Sequence, residues 1–118
     1  EMADEEISKA FRDLQFKTNE TRMRIVQGEQ NKKVNYQKMR ISESTKKNLV
    51  DLDENLKYYR SVGRMFLLTD KPAEISRHEA EAKQSKEKIE AIEKQKDYLE
   101  KGLVEAETNL RELIQSRR

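Results

Sequence analysis

The sequence has no cysteine and no tryptophan, a single histidine, a single proline and only three glycines. Without cysteine there is no disulfide, no thiolate nucleophile and no cysteine-based metal site. A reducing compartment is the expected home: the cytoplasm first, the nucleus second. No apolar run approaches the roughly 18 residues that a membrane span requires. The opening Glu1-Met2-Ala3-Asp4-Glu5-Glu6 is acidic where a secretion signal is basic and then apolar, so the chain is expected to be neither secreted nor membrane-inserted. Apolar residues make up only 34% of the sequence and aromatics 6%, too little for a globule with a thick core. The 41% of charged residues nearly cancel to +2, and the two signs are interspersed as on solvated helix faces, not blocked as in charged disordered tails.

Chemistry-bearing patterns are equally scarce. His78 stands alone, with no second nitrogen, sulfur or organised carboxylate to make a metal or acid–base site, and reads as an ordinary interfacial histidine. No carboxylate pair is singled out by spacing, and Gly63-Arg64 reads as a turn and not as a phosphate loop. No catalytic residue, metal or cofactor is therefore expected. The doublets Lys32-Lys33, Lys46-Lys47 and Arg117-Arg118 are short, lack interleaved aromatics and are balanced by acids, so nucleic acid is not an expected partner. Neither is a membrane.

What is present is periodicity. With Gly28, Gly63, Gly102 and Pro72 as the only breakers, two long uninterrupted stretches remain. From Ile7 an alternating four–three spacing selects Ile7, Phe11, Leu14, Thr18, Thr21, Ile25, Gly28, Lys32, Asn35 and Met39, a heptad seam that is apolar at its start and diluted in its middle. A second seam runs Ile75, His78, Ala82, Ser85, Ile89, Ile92, Lys96, Leu99, Leu103, Ala106, Leu110 and Leu113, with Glu and Lys outside it. Asp70 and Pro72 mark its start.

Between the helices the period changes. Leu56–Val62 and Met65–Thr69 hold two of the four tyrosines and read as two short strands around Gly63, where a tight turn needs positive φ. Met65–Leu68 is apolar on both faces, more than a lone hairpin can bury, so the hairpin must pack against other chains. The expected fold class is mainly α: a long antiparallel two-helix coiled coil joined by a small β-hairpin. One domain over 1–118 would hold helix one at about 3–41, a short helix or linker at 42–54, the hairpin at 55–69 and helix two at 72–117. Within 42–54, either Ser42, Ser44 or Thr45 caps a short helix or the first helix simply continues. Spacing alone pairs seam residues whose numbers sum to about 117, setting Ile7 against Leu110, Phe11 against Ala106 and Gly28 against Ile89.

Some apolar residues miss the seams. Phe16 falls on the outermost face of helix one, and Val104 and Ile114 flank the seam of helix two; all three are expected to be exposed near the chain ends. Candidate contacts for non-native polypeptide are accordingly Ile7, Phe11, Phe16, Leu110, Leu113 and Ile114, the seam members contributing only where the ends fray. Candidate assembly residues are Tyr58, Tyr59, Val62, Gly63, Met65, Phe66, Leu67 and Leu68. Three functional classes compete: a holding chaperone; a passive tethering coiled coil, which would keep its seam uniform and have no use for an exposed Phe16; and a nucleic-acid or microtubule-binding helix pair using its lysines, of which a nucleic-acid binder would lose affinity steeply as salt rises.

The segment Val62-Gly63-Arg64-Met65-Phe66-Leu67-Leu68, followed by a charged heptad helix containing Tyr98-Leu99-Glu100 and ending Asn109-Leu110-Arg111-Glu112-Leu113, resembles the prefoldin family. Ala10-Phe11-Arg12-Asp13-Leu14-Gln15 adds to the likeness, whereas 18–47 contributes little. The resemblance implies a β-type subunit with one hairpin, in a heterohexamer of α- and β-type subunits whose hairpins build a β-barrel body. It further implies capture of unfolded actin, tubulin and similar proteins at coiled-coil tips, and their transfer to the cytosolic chaperonin without ATP use.

Overall fold

The computed structural model describes residues 2–117; Glu1 and Arg118, the second half of the C-terminal arginine doublet, lie outside the described residues. Four elements follow in order: α1 (Met2–Val50), β1 (Tyr58–Val62), β2 (Met65–Thr69) and α2 (Lys71–Ser116). The chain divides into two compact units, one formed by the sequence up to Asn31 and from Ala91 onward, the other by Lys32–Glu90.

Each helix is built by its inward spacing. On α1, Ile7, Leu14, Thr18, Thr21, Ile25, Gly28, Lys32, Asn35 and Met39 are all buried or half-buried, and on α2 every member of the seam from Ile75 to Leu113 is. Apolar burial is thin. Among the described residues, the buried apolar side chains are Tyr58, Ile89 and Leu110, and none of them is fully buried, whereas Thr21, Asn35, Ser42, Glu74 and Ser85 are buried polar ones. Helix α1 opens with Asp4 and Glu5 and closes with Lys47, charges that complement its dipole. Helix α2 is capped by Asp70, whose Oδ1 accepts the Ala73 amide at 2.8 Å, and carries Pro72 in the first turn, where an amide would have no partner anyway.

Of the alternatives for 42–54, the continuing helix is the one formed: α1 runs to Val50, because Ser42 and Leu49 continue the inward spacing and no breaker intervenes before Asp51. Three expectations are corrected. Phe11 is not a seam residue; it is 52% exposed, and the smaller Ala10 takes the half-buried place beside it. Ile114 is half-buried and not exposed. The register also moves: a Cβ on Gly28 would lie 3.2 Å from Ile92 Cγ2, so the residue across from Gly28 is Ile92 and not Ile89. The helix ends set it: Val50 closes α1 and Lys71 opens α2, numbers that sum to 121, and Gly28 with Ile92 sums to 120.

Within the first unit, Lys96 pairs with Glu29 at 3.4 Å and Arg117 with Glu6. Within the second, Lys46 pairs with Glu79 at 2.9 Å, and the Lys71 ammonium donates to the carbonyls of Val50 and Leu52 at 2.9 and 2.7 Å. In both units these contacts make the helices antiparallel. Through Val50, Lys71 satisfies a carbonyl that the end of α1 leaves without an intrahelical donor, and through Leu52 one in the segment that follows.

Candidate functional site

The hairpin is the most strongly specified local structure in the chain. Its strands pair antiparallel from Tyr58 opposite Thr69 to Val62 opposite Met65, leaving a two-residue turn, Gly63-Arg64. Gly63 has φ of 59°, and among the described residues no non-glycine has positive φ, the pattern of a turn whose first central position alone is left-handed. Before the hairpin, the Asp53 carboxylate accepts the Asn55 amide at 2.9 Å, and the Asp53 carbonyl accepts the Tyr58 hydroxyl at 2.6 Å. Tyr58 is thus buried with its hydroxyl satisfied.

Alternation along the strands divides the hairpin into two faces. Tyr58, Arg60 and Val62 share one face with Thr69, Leu67 and Met65; Tyr59 and Ser61 share the other with Leu68 and Phe66. The base of the first face is fixed to the start of α2. Arg60 donates through Nε and Nη2 to Glu74 Oε1, at 2.9 and 2.8 Å, and Arg77 donates through Nε and Nη2 to Glu74 Oε2, at 3.0 and 2.9 Å. Burial alone would raise the Glu74 pKa, but hydrogen bonds from Arg60, Arg77 and Thr69, with the charge of Arg77, outweigh it and hold the carboxyl below the usual carboxylate range.

The second face has no such cover. Tyr59, Phe66 and Leu68 are 57, 71 and 69% exposed. Met65, Leu67 and Val62, beyond the anchored base of the first face, are also exposed. With only two strands in the sheet, the outer edge of each strand presents unpaired backbone groups. Every predicted assembly residue therefore lies on this one hairpin, and all except Tyr58 and the turn residue Gly63 present exposed apolar side chains.

The candidate contacts for non-native polypeptide lie in the unit that holds both chain ends, but not on one surface. Phe16, at 71% exposure, and Phe11 are open to solvent; Ile7, Leu113 and Ile114 are half-buried; Leu110 is buried. Sequence reasoning missed Tyr98, which is 77% exposed, together with Met23 and Val26 on the outer side of α1. The signal was available for Tyr98, which lies two residues beyond seam position Lys96 and so points away from α1. Among the described residues, no group of three or more His, Asp or Glu is placed to hold a metal ion, and no helix is long and apolar enough to cross a membrane.

Comparison with known proteins gives this geometry a context. The sequence model of the prefoldin subunit family matches residues 12–117. The chain is 88% identical over 117 residues to the Caenorhabditis briggsae protein "Probable prefoldin subunit 1", covering 99% of this chain and all of that one. It is 35% identical over 116 residues to human "Prefoldin subunit 1", covering 98% of this chain and 94% of the human one. In fold it is similar to the crystal structure of the prefoldin beta subunit from Thermococcus strain KS-1, with a TM-score of 0.68 at 14% identity over 91% of this chain and 90% of that one. Two long helices around a single antiparallel hairpin, with relatives of this closeness along nearly their whole length, establish that the chain belongs to the prefoldin subunit family.

Proposed function

We propose that this chaperone subunit works without ATP as a holding component of a heterohexameric prefoldin complex. In that complex it captures unfolded proteins such as actin and tubulin at its helix ends and passes them to the cytosolic chaperonin. It is not an enzyme, and its place of work is the cytoplasm, with the nucleus as a second compartment. The observation that carries this reading is the hairpin: Tyr59, Phe66 and Leu68 stand exposed on one face between two unpaired strand edges. An uncovered apolar face with open edges is a demand for other strands, and α- and β-type subunits of the same family supply them by adding their own hairpins.

Capture at the helix ends is supported by the distribution of apolar residues. Phe11, Phe16, Tyr98 and Val104 are exposed in the unit containing both chain ends, while Ile7, Leu110, Leu113 and Ile114 lie beneath as a thin seam that fraying would open. Several weak contacts, shared among subunits, hold a client through avidity while each one remains easy to break. A passive tether has no use for these exposed aromatic residues. The test is assembly: mixed with partner prefoldin subunits, the chain enters one complex of defined native mass, and the Phe66→Ser, Leu68→Ser double variant, with its helices intact, does not. Entry of that variant at wild-type yield would contradict the hairpin's role.

A further inference from the structure

A groove of about 390 Å³ lies between α1 and α2 in the unit that also carries the hairpin, with Lys38, Ile41, Gln84 and Lys88 among its lining residues. Its charge is not balanced from within. Lys38 has Val34, Asn35, Ile41 and Ser42 at three and four residues' distance along its helix, and Lys88 has Gln84, Ser85, Ala91 and Ile92, so neither meets a carboxylate on its own helix. Among the described residues, neither ammonium is in an ion pair. The one acid in the lining, Glu81, is already engaged: Arg77 donates to its Oε1 at 2.8 Å, Ser42 donates to its Oε2 at 3.2 Å, and His78 Nδ1 lies 3.6 Å from that same oxygen.

The two lysines flank the seam at equivalent heptad positions, immediately before seam residues Met39 and Ile89. Facing positions of this kind in coiled coils ordinarily carry opposite charges. Here two unpaired cations share one groove, and Ile41, 59% exposed, supplies it with an apolar wall. Carboxylates entering the groove would meet two cations without acidic partners, and an apolar neighbour on the same ligand would cover Ile41. Nucleic acid fits less well, since the groove has only these two uncompensated cations and no aromatic ring on which a base would stack.

We propose that the groove lined by Lys38, Ile41 and Lys88 is a docking site for an acidic segment of a partner polypeptide, in which carboxylates alternate with apolar side chains. This surface is separate from the hairpin and the helix ends and adds a contact that the proposed holding function does not require.

The test uses the full chain and fluorescence anisotropy of a labelled peptide in which glutamate alternates with leucine. The controls are the same peptide with glutamine for glutamate and a labelled thymidine oligonucleotide. Lys38→Glu with Lys88→Glu is expected to weaken binding of the acidic peptide by at least about tenfold. Lys38→Gln with Lys88→Gln weakens it in the same direction while keeping the side chains long and uncharged, which covers the case in which charge reversal disturbs the helix pair. Lys33→Glu with Lys94→Glu, an equal change of net charge elsewhere, is expected to alter affinity by less than about twofold. Several results would overturn the proposal: no binding of the acidic peptide, equal weakening by both charge-reversed pairs, equal binding of the glutamine peptide, or tighter lysine-dependent binding of the oligonucleotide.

Discussion

Arg60 on β1 and Glu74 in the first turn of α2 are joined by two hydrogen bonds from one guanidinium to one carboxylate oxygen, at 2.9 and 2.8 Å. Glu74 is 5% exposed, and its second oxygen is held by Arg77, so the carboxylate is satisfied on both sides. The pair fixes the hairpin to the helix that follows it and leaves the hairpin's other face free.

Glu74→Gln removes the charge while preserving size and is expected to destabilise the chain by about 1–3 kcal/mol, read by thermal unfolding followed by circular dichroism. The same variant separates the pH dependence. Because the folded-state pKa of Glu74 is lowered, its contribution is complete above the ordinary carboxylate range and is lost as pH falls through the folded value. Below about pH 4 the wild-type chain should therefore lose stability more steeply than the variant. Parallel acid profiles would mean that the buried carboxylate is not the titrating anchor.

Gly28 faces Ile92 at close range: an added Cβ alone would stand 3.2 Å from Ile92 Cγ2, tight enough that the isoleucine would have to give way. Gly28→Val is expected to cost about 1–3 kcal/mol through overpacking. Combined with Ile92→Ala, the loss should be smaller than the sum of the two single changes, because the space removed at one position is what the other requires. Strict additivity in urea unfolding would contradict the register.

Much of the fold was legible because it rests on repetition. The inward spacing of α2 from Ile75 to Leu113 and the strand–glycine–strand pattern around Gly63 are local signals that tertiary packing did not override. The register was less legible, since heptads spaced alike can slide by a few residues, and contacts across the helices such as Gly28 with Ile92 and Lys96 with Glu29 select one alignment. Phe11 misled because a large aromatic residue at a heptad position looks like core, yet the neighbouring Ala10 takes the inward place. The Arg60–Glu74–Arg77 cluster was not legible at all: in a chain with 41% charged residues, nothing in sequence marks which carboxylate will be buried.

Phe11→Ser with Phe16→Ser changes two exposed residues and should shift the unfolding midpoint little, about 0.5 kcal/mol or less for each. In the assembled complex the same pair is expected to weaken the holding of a denatured protein while the native mass stays unchanged. Unchanged holding would move the contact surface away from these aromatics.

The central claim is tested most directly by light scattering of a denatured, aggregating protein added to the complex assembled from this chain and its partner subunits, with no ATP present. The account predicts that scattering is suppressed in proportion to the complex added, and that neither this chain alone nor a mixture containing the Phe66→Ser, Leu68→Ser variant achieves the same suppression. A correctly assembled complex that leaves aggregation untouched would contradict the holding function and make the chain a structural coiled coil.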